Sequence, residues 1–198
     1  MRLRKLGHFG MVRSRPVYTE ASKVYLLGRP GYSYLESRGL AGNLSFVQEL
    51  DLRVFEHDKA VTDLRLGMEM AGVQGWKSER ELRQERPWIR VPDAIFNLGN
   101  LSVALEFENT EKGADRYRGI LLNHLERPAA GHVLYVLRTP ERLKSLAQLL
   151  EGLRTRRLGL DLGRISFALE QDILGCKLEA PAVNLKRGRI KLAELSAH

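Results

Sequence analysis

Three carboxylates stand close together in the stretch 91–112, V-P-D-A-I-F-N-L-G-N-L-S-V-A-L-E-F-E-N-T-E-K: Asp93, Glu106 and Glu108. Carboxylate oxygens are hard ligands, and acids held a few ångströms apart repel each other unless a cation or a basic partner compensates. Residues 101–109 alternate, with Val103, Leu105 and Phe107 on one face of a strand and Ala104, Glu106 and Glu108 on the other. The segment N-L-G-N at 97–100 has the composition of a hairpin turn, which lays Asp93 on the neighbouring strand and lets it approach Glu106. A divalent metal is one compensation for such a group. The other reading is a half-exposed strand whose acids are simply solvated, because antiparallel sheets often leave one face wet.

The elements around this stretch must position it. Residues 44–72 have helical periodicity, in two pieces broken around 51–53, and Ala60, Val61, Leu64, Met68 and Ala71 make one apolar stripe. Glu56 and Asp63 lie along the edge of that stripe, where a carboxylate can lean towards a sheet or remain solvated. His57 projects into it, and a lone histidine on an apolar face is more often a satisfied core residue than a ligand or base. Residues 79–85 read as an edge strand. A helix follows 110–113, with Ala114, Tyr117, Leu121 and Leu125 on one side, which leaves Arg116 and Arg118 to face a ligand. The run 132–137 is a buried strand. Thr139 and Pro140 then suit the cap and first turn of a helix that ends in Arg154, Arg156 and Arg157, cations that fit a helix carboxyl end as well as a phosphate. Strand 164–169 and a terminal hairpin with the turn at 186–189 complete the chain. A hairpin followed by a helical crossover into another strand implies an α/β (α+β) fold, a central mixed sheet flanked by helices.

With 198 residues, 43% of them hydrophobic, the chain can bury one substantial core. Its single cysteine, Cys176, excludes an internal disulfide and a cysteine-based zinc cluster, and suits a reducing cytosol. No apolar run has the length of a membrane span, so the expectation is a soluble, cytoplasmic protein without a membrane partner. The net charge of +8 is unevenly divided. Residues 1–40 carry eight basic and two acidic side chains, residues 154–191 nine and four, and the middle, 41–153, fifteen and seventeen. Basic ends around an acidic centre suit a polyanion held at the ends and presented to a cation-requiring middle, and nucleic acid is the commonest such partner. Many basic proteins nevertheless bind nothing specific.

The sequence divides at 43/44 into a basic arm, residues 1–43, and an α/β domain, residues 44–198. In the arm, 13–19 and 23–27 read as a β-hairpin that carries Arg13 and Arg15 and resembles the wing of a winged-helix unit. The helices that should precede a wing are missing, and an oligomerisation arm fits equally well. Such an arm permits a homodimer.

The order of elements and the acids together resemble the PD-(D/E)XK nuclease-like superfamily: an acid-bearing helix, Pro92-Asp93 on one strand, and Glu106-Phe107-Glu108 on the next. More narrowly, H-D-K-A-V-T-D at 57–63, V-P-D-A at 91–94 and L-E-F-E-N-T-E-K at 105–112, with Arg116 and Tyr117 following, are similar to the replication-relaxation family of plasmid and mobile-element proteins. The resemblance spans roughly residues 44–170. It implies a restriction-endonuclease-like core and a Mg²⁺ or Mn²⁺ site with Asp93 and Glu106 as ligands and Asp63 or Glu56 as auxiliary. It also implies metal-dependent hydrolysis of DNA in mobile-element replication or transfer, alone or within a larger complex. In chemical terms, such a metal would bridge a phosphate oxygen and activate a water, and Arg116 and Arg118 would neutralise the phosphate. One position departs from the pattern: the usual lysine two residues after the second acid is Glu108. Lys112, or Lys59, would have to supply that cation. Two functions from different classes follow, a metal-dependent deoxyribonuclease and a non-catalytic DNA-binding accessory or regulatory protein that keeps the nuclease fold.

Overall fold

The acid-bearing strand is buried over its last six residues, 103–108. The structure, a computed structural model, describes residues 2–17, 23–42, 46–47, 49–85, 90–108, 116–117, 119–120, 130–154 and 161–196, without the side chains of residues 153 and 154. Two compact units divide the chain, Met1–Glu56 and His57–His198.

In the first unit, α1 (Arg2–His8) precedes β1 (Val12–Pro16) and β2 (Lys23–Leu27), which pair antiparallel with Ser14 opposite Tyr25, and α2 (Arg29–Ser37) follows. Helix α1 was not anticipated ahead of the strands, because it is only seven residues long and buries none of them. The start of α2 is pressed against Met11, just ahead of β1. A Cβ added at Gly31 would lie 2.1 Å from the Met11 carbonyl oxygen, so only glycine permits this approach. Phe46 takes the Arg13 and Arg29 guanidinium groups against its ring at 5.4 and 5.3 Å, and Arg13 also donates to the Val47 carbonyl at 2.7 Å.

The second unit holds a seven-stranded mixed sheet flanked by helices. Its strands, β3 (Gln74–Ser78), β4 (Ala94–Leu98), β5 (Leu101–Glu108), β6 (His132–Leu137), β7 (Ile165–Leu169), β8 (Pro181–Asn184) and β9 (Gly188–Lys191), lie side by side in chain order. Only β5/β6 and β6/β7 are parallel. The two parallel steps require crossovers, and crossovers cover sheet faces. One is α5 (Pro140–Arg154), where Thr139 Oγ1 accepts from the Arg142 amide at 3.4 Å as the sequence anticipates. The other contains helical Arg116, Tyr117, Gly119 and Ile120, while Ala114, Leu121 and Leu125 lie outside the described residues.

One face of the sheet receives α3 (Phe55–Met70), whose Ala60, Leu64 and Met68 join Val103, Leu105 and Phe107 of β5 and Leu134 and Val136 of β6 in one core. The expected stripe is therefore the buried one. Helix α3 stops where Gly72 takes φ +97°, with Val73 N–H returning to the Met68 carbonyl and Gly72 N–H to that of Glu69. The opposite face gathers Tyr117, Ile120, Tyr135, Leu137, Leu146, Leu150, Ile165 and Phe167 into a second core.

Residues 79–85 form a helix, α4 (Glu79–Glu85), rather than an edge strand; the strand lies just before it, in β3. The cause is a capping box: Glu81 reaches back to accept from both the amide and the hydroxyl of Ser78 at 2.8 Å. After β7, α6 (Glu170–Cys176) leads to the hairpin β8–β9, which extends the sheet. Among the described residues no helix is long and apolar enough to cross a membrane.

Candidate functional site

Because β5, β6 and β7 run parallel, their last residues, Glu108, Leu137 and Leu169, share one edge of the sheet, and Asp93 stands at the same edge ahead of antiparallel β4. In open α/β sheets this is the edge where ligands bind. Strand β4 begins only at Ala94, opposite Leu105, so the Phe107 amide lies beyond the regular pairing of β4 with β5 and needs another acceptor. The Asp93 carboxylate fills that place. Its Oδ2 accepts from Phe107 N–H at 2.7 Å, and its Oδ1 lies 3.2 Å from His57 Nε2 on α3. The Asp93 backbone is held as well, its N–H donating to Leu105 and its carbonyl accepting from Glu79 N–H.

His57 is half-buried, with its ring 5.6 Å from that of Phe107. The hydrogen bond to Asp93 raises its pKa above the ordinary histidine value; burial opposes this, and the nearby charges of Asp93, Asp58 and Glu79 add to it. Burial in turn pushes the Asp58 carboxyl up. The Arg138 guanidinium lies 5.5 Å from the same Phe107 ring, and its Nε donates to Glu170 Oε2 at 3.2 Å. Phe107 is thus touched by two basic side chains, each tethered by its own acid.

Glu106 and Glu108 occupy the opposite face and are 4% and 2% exposed, which rules out the solvated-strand reading. Strand β5 is covered on both faces because it lies at the junction of the antiparallel and parallel parts of the sheet. Glu106 is in register with Tyr135, and Glu108 accepts from the Tyr117 hydroxyl at 3.2 Å. Burial, and after it the Glu106 and Glu108 charges, hold the Tyr135 phenol well above its usual pKa. The Tyr135 hydroxyl and Arg90 Nε are buried without a hydrogen-bond partner among the described residues.

The expected ligands are therefore not brought together. Asp93 turns its carboxylate towards α3, Glu106 faces Tyr135, and Asp63 pairs with Lys59 at 2.5 Å along α3. Among the described residues no group of three or more His, Cys, Asp or Glu side chains could hold a metal ion. Among the described residues the donor set does not fit Mg²⁺ or Mn²⁺. Arg116 and Arg15 are exposed, whereas Arg13 is occupied by Val47 and Phe46. Lys112, Arg118, Arg156 and Arg157 lie outside the described residues, as does the side chain of Arg154.

Sequence reasoning missed Arg138. Its signal is position alone, the first residue beyond a buried parallel strand. It also missed a second polar cluster at the opposite edge, where His132 Nε2 lies 3.0 Å from Ser166 Oγ and Asn184 Nδ2 donates to Ser166 Oγ and to the Gly163 carbonyl. Ser166 is fully buried, so this Ser–His contact ties strands together rather than presenting a nucleophile.

These features define a mixed α/β protein with a histidine–aspartate pair at the carboxyl edge of its parallel strands. Comparison with protein-family models, curated proteins and solved structures finds no match.

Proposed function

We propose that the chain is a DNA-binding protein in which the basic segment 1–40 holds the phosphate backbone, and that its nuclease-like α/β unit acts in a non-catalytic, accessory role. One observation carries this reading. Of the eight basic side chains in that segment, Arg2, Arg4, Lys5, Arg15, Lys23, Arg29 and Arg38 are exposed, against two acids, Glu20 and Glu36. A surface so charged attracts a polyanion and releases its counterions. The setting in mobile-element replication or transfer comes from the family resemblance.

Fluorescence anisotropy of labelled DNA across a salt series tests the proposal. The logarithm of affinity is expected to fall linearly with the logarithm of salt concentration, and Arg15→Ala with Lys23→Ala is expected to reduce the slope by about 2 if both contact phosphates. Absence of binding at low salt refutes it.

A second reading, metal-dependent cleavage, is favoured by the order of α3, three antiparallel strands β3–β5, a helical crossover and parallel β6, which is the order that the nuclease resemblance requires. Plasmid nicking in Mg²⁺ or Mn²⁺, abolished by Asp93→Ala and by Glu106→Ala, would establish it in place of the accessory role. Binding without cleavage under either metal is the expected result.

A further inference from the structure

Among the described residues, exposed phenylalanine, tyrosine and tryptophan rings are confined to the cationic unit. Phe9, Tyr25 and Tyr34 are 69%, 48% and 49% exposed, whereas Trp76, Phe96, Phe107, Tyr117, Tyr135 and Phe167, the described aromatics of the second unit apart from its histidines, are all buried. An exposed ring forgoes the burial that would stabilise it, and three such rings in a segment rich in exposed arginine and lysine supply the chemistry of a binding surface.

The strand register places one of these rings. On β2, Lys23, Tyr25 and Leu27 share a face, and their partners on β1 are Pro16, Ser14 and Val12. All of these but Val12 are exposed. Tyr25 is opposite only the small Ser14, so its ring stands clear of the ribbon. Arg13 belongs to the other face, where Phe46 and Val47 hold it. Just after α2, the guanidinium of Arg38 lies 5.5 Å from the ring of Tyr34, four residues earlier on the helix.

We infer that Tyr25 and Tyr34 are stacking platforms for unpaired bases, so that the ligand of this unit is single-stranded nucleic acid; the inference rests on the nucleic-acid reading above. Charge selects the phosphate backbone, and the rings select how the bases are presented. In a duplex the base faces are already stacked on one another and only their edges can be read, which requires side chains that hydrogen-bond within a groove. The exposed face of the ribbon offers only Lys23, Ser14 and the Tyr25 hydroxyl for that purpose. Unpaired bases present free faces to a ring, whatever their identity, while lysine and arginine alongside track the backbone.

Anisotropy titrations of the full-length chain with labelled oligo-dT, oligo-rU and a blunt duplex of equal length test this at one fixed low salt concentration. Single strands are expected to bind more tightly than the duplex, and a preference between dT and rU identifies the sugar. Tyr25→Ala and Tyr34→Ala are each expected to weaken single-strand binding by between about 5- and 100-fold. Tyr25→Phe and Tyr34→Phe, which keep the ring, are expected to retain it, and none of the four changes alters the salt slope because none removes a charge. Equal binding of duplex and single strand, unchanged by the alanine variants, overturns the inference and leaves the backbone-binding reading standing. Failure to bind any of the three oligonucleotides overturns both. Unchanged nucleic-acid binding with loss of self-association in Tyr25→Ala, measured by sedimentation, also overturns it, because the ring would then be covered by a second copy of the chain.

Discussion

Replacing His132 by glutamine is expected to flatten the acid limb of the stability curve. His132 opens β6, is 6% exposed, and lies against Ser166. Burial, with the Arg164 and Arg187 charges acting in the same direction and Asp161 against it, lowers its pKa to about 4. In the unfolded chain the pKa is about 6.5. The fold therefore holds a neutral imidazole, and its stability on this account is complete above pH 6.5. As pH falls below that, the unfolded chain takes up a proton that the folded chain refuses. Stability then declines by about 1.4 kcal/mol per pH unit until the folded group titrates near pH 4, a total on the order of 3 kcal/mol. Urea unfolding at constant ionic strength, at intervals from pH 7.5 to 4.5, reads this directly. Near neutrality His132→Gln is expected to be less stable than the parent by about 1 kcal/mol, the worth of the bond to Ser166. That deficit is expected to shrink and reverse as pH falls, the difference moving by about 2–3 kcal/mol over the range, while carboxylates common to both proteins cancel. Parallel curves for the two proteins, or a His132 resonance that titrates near 6.5, would refute the reasoning.

Two further changes probe the carboxyl edge. Asp93→Ala leaves the Phe107 amide and His57 without their acceptor and is expected to cost about 3 kcal/mol in chemical denaturation, with the His57 pKa falling in an NMR titration. Because the folded His57 pKa is raised, the stability it contributes is present below pH 6.5 and is lost as pH rises through the folded value. The gap between parent and variant should therefore narrow in that direction. A His57 titration unmoved by the substitution would dissociate the pair. Tyr135→Phe removes a buried hydroxyl that has no partner among the described residues and is expected to leave stability unchanged or to raise it by up to about 1 kcal/mol; a loss larger than that in the same assay would mean that the hydroxyl is paired.

What could be read from the chain followed from short-range regularities. The spacing of Ala60, Leu64 and Met68, the run 132–137 and the Thr139-Pro140 start each specify an element through neighbouring residues alone, and each is present. The capping box from Ser78 to Glu81 is equally local, and its strand reading reflects the signal being overlooked rather than absent. The direction of a carboxylate is a different kind of fact. Alternation along β5 puts Glu106 and Glu108 on one face, but whether that face is wet depends on crossovers supplied by residues dozens of positions away. Asp93 lies just outside the regular ladder, so strand alternation does not govern it, and its carboxylate takes the place of a missing backbone acceptor. Arg138 meets Phe107 and Glu170 only through the parallel pairing of three strands, which no local pattern encodes.

The charges at the carboxyl edge bear on where an anion would be held. Among the described residues, Asp58, Asp93, Glu106, Glu108 and Glu170 stand there with His57, Arg90 and Arg138, and His57 and Arg138 are already tethered to acids. A phosphodiester entering this edge would meet a group of carboxylates, two of which, Glu106 and Glu108, are buried where a low dielectric strengthens repulsion. Without a cation to bridge them, the edge disfavours a polyanion. The segment 1–40 has the opposite balance and keeps most of its cations at the surface, where counterion release favours binding and little desolvation is required. The proposed backbone binding is therefore assigned to the first unit. The acids of β5 give the second unit a polar interior held by Tyr117 and faced by Tyr135, and cleavage there would require a metal to draw Asp93 away from the amide and the histidine that now hold it.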